Sequence, residues 1–76
     1  MDSPTAKELL DRYYLEMRWR VLSLASDLDR IQRAVGGEAV IASDERIARL
    51  RACISELHTD QPDRAERVQL SLSDKK

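Results

Sequence analysis

The chain has 76 residues, a net charge of −1 and a single cysteine. A chain this short buries only about 60% of its unfolded surface, so it needs tight packing, staples or a partner. One cysteine excludes an internal disulfide and a cysteine metal cluster. Near-neutral charge at 36% charged residues argues against a dedicated nucleic-acid or anionic-membrane binder.

The absence of phenylalanine and the presence of only two glycines and two prolines favour helices over sheets. No apolar run is long enough to span a bilayer. The start, Met-Asp-Ser-Pro, lacks a basic segment followed by an apolar one, so no signal peptide is expected and a cytoplasmic location is the default.

The dominant feature runs from Ser3 to Gly37. Leu10, Tyr14, Met17, Val21, Leu24, Leu28, Ile31 and Val35 recur at alternating steps of four and three, an unbroken heptad seam. The spacing predicts one long helix over about residues 4–35. Ser3-Pro4 offers one start, with a capping hydroxyl and a proline at the first helical position. Thr5 with Glu8 offers another, a capping box. Glu8–Arg12, Glu16–Arg20 and Asp29–Arg33 place an acid four residues before a base, each worth roughly 0.2–0.5 kcal/mol to a helix. Gly36-Gly37 ends the helix, because glycine readily takes the left-handed closing conformation.

Glu38 to Ala42 reads as a short connector whose Val40 and Ile41 pack over the end of the core. Ser43-Asp44-Glu45 restarts a helix, with Ser43 as the cap and two acids where the dipole favours them. Ile47, Leu50, Ile54 and Leu57 continue the pattern to His58, giving a second helix over about residues 44–58. Residues 1–60 thus form a helical hairpin domain. Residues 61–76 form a tail. Ala65, Val68 and Leu72 fit one side of a short helix, Val68, Leu70 and Leu72 alternate as in a strand, and the expectation is a frayed helix or disorder, with Ser71 onward mobile.

The predicted fold is all-α: an antiparallel helical hairpin of one long and one short helix, dimerising into a four-helix bundle or coiled-coil-like assembly, with a flexible tail. Length carries the dimer argument. At 1.5 Å per residue the first helix is roughly 45–48 Å long and the second roughly 22 Å. The second covers only the C-terminal half of the seam, from Val21 to Val35. Leu10, Tyr13, Tyr14 and Met17 are left bare, an apolar patch that needs a partner. Leu15, Trp19 and Leu22 form a second stripe on a nearly opposite arc, and a helix with two apolar stripes sits between two neighbours.

No residue set carries chemistry well. His58 lies near Glu56 and Asp60, but helical positions two apart do not face each other, so a helix-end role is preferred to a metal site. Cys53 lies beside the core stripe with no histidine placed to activate it, and reads as a structural thiol. Arg18-Trp19-Arg20 resembles a stacking site for nucleic acid, yet the two arginines point to different sides of the helix. Arginines flanking an interface tryptophan are the better account. The acids Asp11, Glu16, Asp27 and Asp29 do not share one face, and Gly36-Gly37 lacks the strand and lysine of a phosphate loop. No catalytic residue, cofactor or metal is expected. The expected role is non-enzymatic assembly or adaptor work through a homodimer, with a further protein partner available to the second patch. The alternative is a small nucleic-acid regulator pooling arginines across a dimer.

Overall fold

The computed structural model describes residues 3–73. It contains four helices and, among the described residues, no strand: α1 (Ala6–Arg33), α2 (Gly37–Ser43), α3 (Glu45–Leu57) and α4 (Arg64–Leu72). The molecule is elongated, 54 × 31 × 17 Å, because α1 extends well beyond the cluster made by the other three.

Helix α1 starts at the Thr5 register. The Glu8 amide donates to Thr5 Oγ1 at 3.2 Å, and the Thr5 amide donates to Glu8 Oε1 at 2.9 Å, a complete capping box. Glu8 is thereby committed to the cap. Of the predicted helical pairs, Glu16–Arg20 forms at 3.2 Å, joined by Lys7–Asp11 at 3.4 Å and Asp27–Arg30 at 3.6 Å. The helix ends where Ala34 turns extended and Gly36 takes φ +78°.

The connector differs from the expectation. It is itself a helix, α2, which begins at the buried Gly37. A Cβ at Gly37 would collide with the carbonyl oxygens of Ile31 and Gln32. Only glycine lets α2 start this close to the end of α1. Gln32 Nε2 donates to Glu38 Oε2 at 3.3 Å across the same junction.

Asp44, rather than Ser43, caps α3. Its Oδ1 accepts the Arg46 amide at 2.8 Å. Ser43 instead closes α2, with Oγ donating to the Ala39 carbonyl at 2.8 Å. Asp44 thus closes α2, its amide donating to the Val40 carbonyl, and opens α3 with its carboxylate.

The tail, up to Ser73, is ordered as α4 and a turn. Asp63 takes the left-handed conformation at φ +67° before the helix. Arg64 donates twice to the Thr59 carbonyl, at 2.9 and 2.6 Å. Arg67 reaches Glu56 Oε1, Thr59 Oγ1 and the Pro62 carbonyl. The face turned to α3 is therefore Arg67, Val68 and Ser71, while Ala65 and Leu72 of the predicted stripe are exposed. Ser71 and Leu72 complete the helix. Residues 74–76, part of the stretch predicted to be mobile, lie outside the described residues.

The core is small. Ile47 and Cys53 are its buried apolar side chains, with Leu50, Ile54 and Val68 half-buried around them. Helix α3 turns two faces inward: Cys53 and Glu56 toward α4, and Ile47, Leu50 and Ile54 toward the end of α1. There the fit is loose. A space of about 240 Å³ separates Leu28, Asp29 and Gln32 of α1 from Ile47, Leu50 and Ile54 of α3.

The predicted cover of the seam from Val21 to Val35 is corrected by this arrangement. Val21 is 70% exposed and Val35 is fully exposed. The physical reason is the route of the chain. Helix α2 carries it across the end of α1, and α4 occupies one face of α3, so α3 faces α1 only across the space beside Leu28, Asp29 and Gln32.

Candidate interface on α1

No residue of α1 is buried. Leu9, Leu24 and Leu28 are half-buried, and the remaining large apolar side chains stand in the open. The seven residues singled out in the sequence all do so: Leu10, Tyr13, Tyr14, Leu15, Met17, Trp19 and Leu22 are between 45% and 68% exposed. Val21 joins them. It lies in the half of the seam predicted to be covered, and it is exposed because α3 does not reach it.

At 3.6 residues per turn the seam residues Leu24, Met17, Leu10, Val21 and Tyr14 occupy one arc, with Tyr13 at its edge. Leu22, Leu15 and Trp19 occupy a second. Between residues 13 and 25 the two arcs together take up about 240° of the circumference, with Ala25 and Arg18 between them. Glu16, Arg20 and Ser23 hold the remaining polar strip. A surface helix in a globular protein usually carries one apolar stripe. More than half a circumference of apolar side chain requires at least two neighbouring elements, and the described chain supplies none along this stretch.

The depression on this face, about 710 Å³, is lined by Tyr14, Leu15, Met17, Arg18, Trp19, Val21, Leu22 and Ala25. Every one of these belongs to α1. The depression is one wall of a site, with no second element of the chain opposite it. Its single charge is Arg18, whose guanidinium carbon stands 6.0 Å from the centre of the Tyr14 ring. At that range a cation is weakly attracted by the ring face.

The other residues considered fall away from this surface. Arg20 is paired with Glu16, and Arg46 is held by the Asp44 carboxylate through Nε and Nη2, both at 3.0 Å. Arg18, Trp19 and Arg20 splay around the helix at about 100° intervals, so the two arginines do not flank a common stacking platform. Cys53 is buried, and its Sγ lies 3.9 Å from the Val68 carbonyl. His58 is exposed at the end of α3, where its amide donates to the Ser55 carbonyl at 3.1 Å. Among the described residues no three His, Cys, Asp or Glu side chains gather as a metal site would require, and no helix is long and apolar enough to cross a membrane.

The site is thus a hydrophobic helix face with a thin polar spine. Such a face can bind another apolar surface. The chain matches no protein-family model, and no curated protein or solved structure shows significant similarity to it.

Proposed function

We propose that this protein is a non-enzymatic assembly or adaptor module that works as a homodimer, built on the seam of α1. The observation that carries the reading is the lack of any intrachain cover over α1 from Leu10 to Val21. A second copy supplies the missing wall, and each chain contributes its long arm, so the dimer is a coiled-coil-like pairing of the two α1 helices. The second stripe, Leu15, Trp19 and Leu22, faces away from the seam and offers a contact for a further protein.

The test is solution mass by light scattering coupled to size exclusion, for the wild type and for Met17→Glu. A charge at the centre of the seam is expected to return a dimer to monomers, with helical content measured by circular dichroism to confirm that the fold survives. A wild-type monomer at about 100 μM would overturn the proposal, since a useful homodimer binds at micromolar Kd or better. Trp19→Ala then separates the two patches. A loss of more than about 2 kcal/mol of association would place Trp19 in the dimer interface itself.

A further inference from the structure

The charges along α1 specify how the second copy lies. We infer that two α1 helices pair antiparallel, with the two-fold axis between Leu15 and Glu16, so that Asp11 of each copy faces Arg18 of the other. This inference rests on the homodimer reading above and adds its direction and register.

In heptad terms the seam residues alternate between the two core positions, and two flanks border them. Asp11 and Arg18 follow Leu10 and Met17 and share one flank. Tyr13 and Arg20 precede Tyr14 and Val21 and share the other. In an antiparallel pair each flank faces its own counterpart. The register centred between Leu15 and Glu16 then brings Asp11 against Arg18 twice, once at each end. On the other flank it brings Tyr13 against Arg20 twice, a cation against an aromatic ring. In the seam Tyr14 meets Met17, and Leu10 meets Val21.

Other registers fare worse. Shifting by one heptad toward the C-terminus sets Arg18 against Arg18 and Arg20 against Arg20 on the axis. Shifting one heptad the other way sets Asp11 against Asp11. A two-heptad shift pairs Arg20 with Asp27 but needs Leu28 and Ile31 for the partner, and Leu28 already faces Ile47, Leu50 and Ile54 of its own chain across the loose space. A parallel pair aligns no opposite charges across the seam. It also sets the two α2–α4 clusters side by side, whereas the antiparallel pair sends them to opposite ends.

The intrachain structure leaves Asp11 and Arg18 available to a partner. Arg18 has the Tyr14 ring as its recorded neighbour and no acid among the described residues. Among the described residues, Asp11 is held by the exposed Lys7 alone, at 3.4 Å. The free seam also has the right length. Lys7 occupies the core position before Leu10 and ends the apolar run on that side, and Leu24 is where exposure begins to fall on the other.

Charge reversal tests this directly. At low ionic strength, where exposed pairs are least screened, Asp11→Arg and Arg18→Asp alone should each weaken dimerisation roughly tenfold, since attraction becomes repulsion at two places in the dimer. The double variant should recover most of the loss, which a folding defect would not do. A dimer whose affinity ignores the single reversals, or falls further in the double variant, overturns the antiparallel register while leaving the dimer standing. A wild-type monomer overturns both. Spin labels at Arg30→Cys give a reading independent of charge. The antiparallel pair places the two labels about 45 Å apart at 1.5 Å per residue, and a separation under about 20 Å means a parallel pair. Cys53 is buried, so brief labelling reaches the new thiol at position 30 first.

Discussion

Arg67 on α4 reaches back across the turn to Glu56 on α3, with Nε donating to Oε1 at 2.6 Å and both side chains about two-thirds buried. The same guanidinium holds Thr59 Oγ1 at 2.8 Å. One side chain therefore ties the last helix, the turn and the end of α3 together. The small core, where Cys53 Sγ lies 3.9 Å from the Val68 carbonyl, sits between the same two helices.

Replacing Arg67 with alanine should free α4 from α3 at a cost of about 1–2 kcal/mol, the range for a charged hydrogen-bond pair that is only partly shielded from solvent. The sensitive readout is the Cys53 thiol. It is 7% exposed in the closed chain, and its labelling by a thiol reagent should accelerate roughly tenfold once α4 opens more often. Unchanged labelling would mean that apolar contact alone holds α4 in place.

The two adjacent glycines should respond differently to alanine. Gly36 has a positive φ of 78° and open space around it, so Gly36→Ala should cost about 1–2 kcal/mol of backbone strain. Gly37 has an ordinary helical backbone, but a Cβ there would lie 2.6 Å from the Gln32 carbonyl carbon as well as against two carbonyl oxygens. Those atoms are main chain and cannot rotate aside. Gly37→Ala should therefore be the more damaging, by more than about 2 kcal/mol, with loss of the α1–α2 junction visible in denaturant unfolding. The opposite order would show that α2 can shift away from α1 freely.

Asp44 should make stability pH-dependent at the acid end. The hydrogen bond from the Arg46 side chain, with that from the Arg46 amide, lowers its carboxyl pKa from 3.8 to about 2. A carboxyl depressed in the folded state contributes stability above its unfolded pKa and loses it as pH falls through the folded value. The contribution is therefore complete above about pH 4 and fades toward pH 2. Asp44→Asn keeps an acceptor for the cap but does not titrate. The stability gap between wild type and this variant should narrow over that window, as measured by urea unfolding at several pH values. A gap that stays constant would mean the carboxylate acts only as a neutral acceptor would.

Local pattern alone carried α1 and α3. The heptad steps from Leu10 to Val35 set α1, the Thr5–Glu8 box set its start, and Gly36 set its end, all through interactions within one turn of chain. Leu10, Tyr13, Tyr14, Leu15, Met17, Trp19 and Leu22 could be singled out because two apolar arcs on one helix exceed what a single neighbour covers. Pattern could not place the helices against each other. Whether Glu38 to Ala42 bridges as a loop or coils into α2 depends on Gly37 fitting against the carbonyls of Ile31 and Gln32, a contact between chain segments. The tail matched helix and strand templates about equally, and the contacts that join α4 to α3, such as Arg67 to Glu56 eleven residues earlier, lie beyond what a local pattern can read. The exposure of Val21 follows from both outcomes, because a helix covers only what its connections allow it to reach.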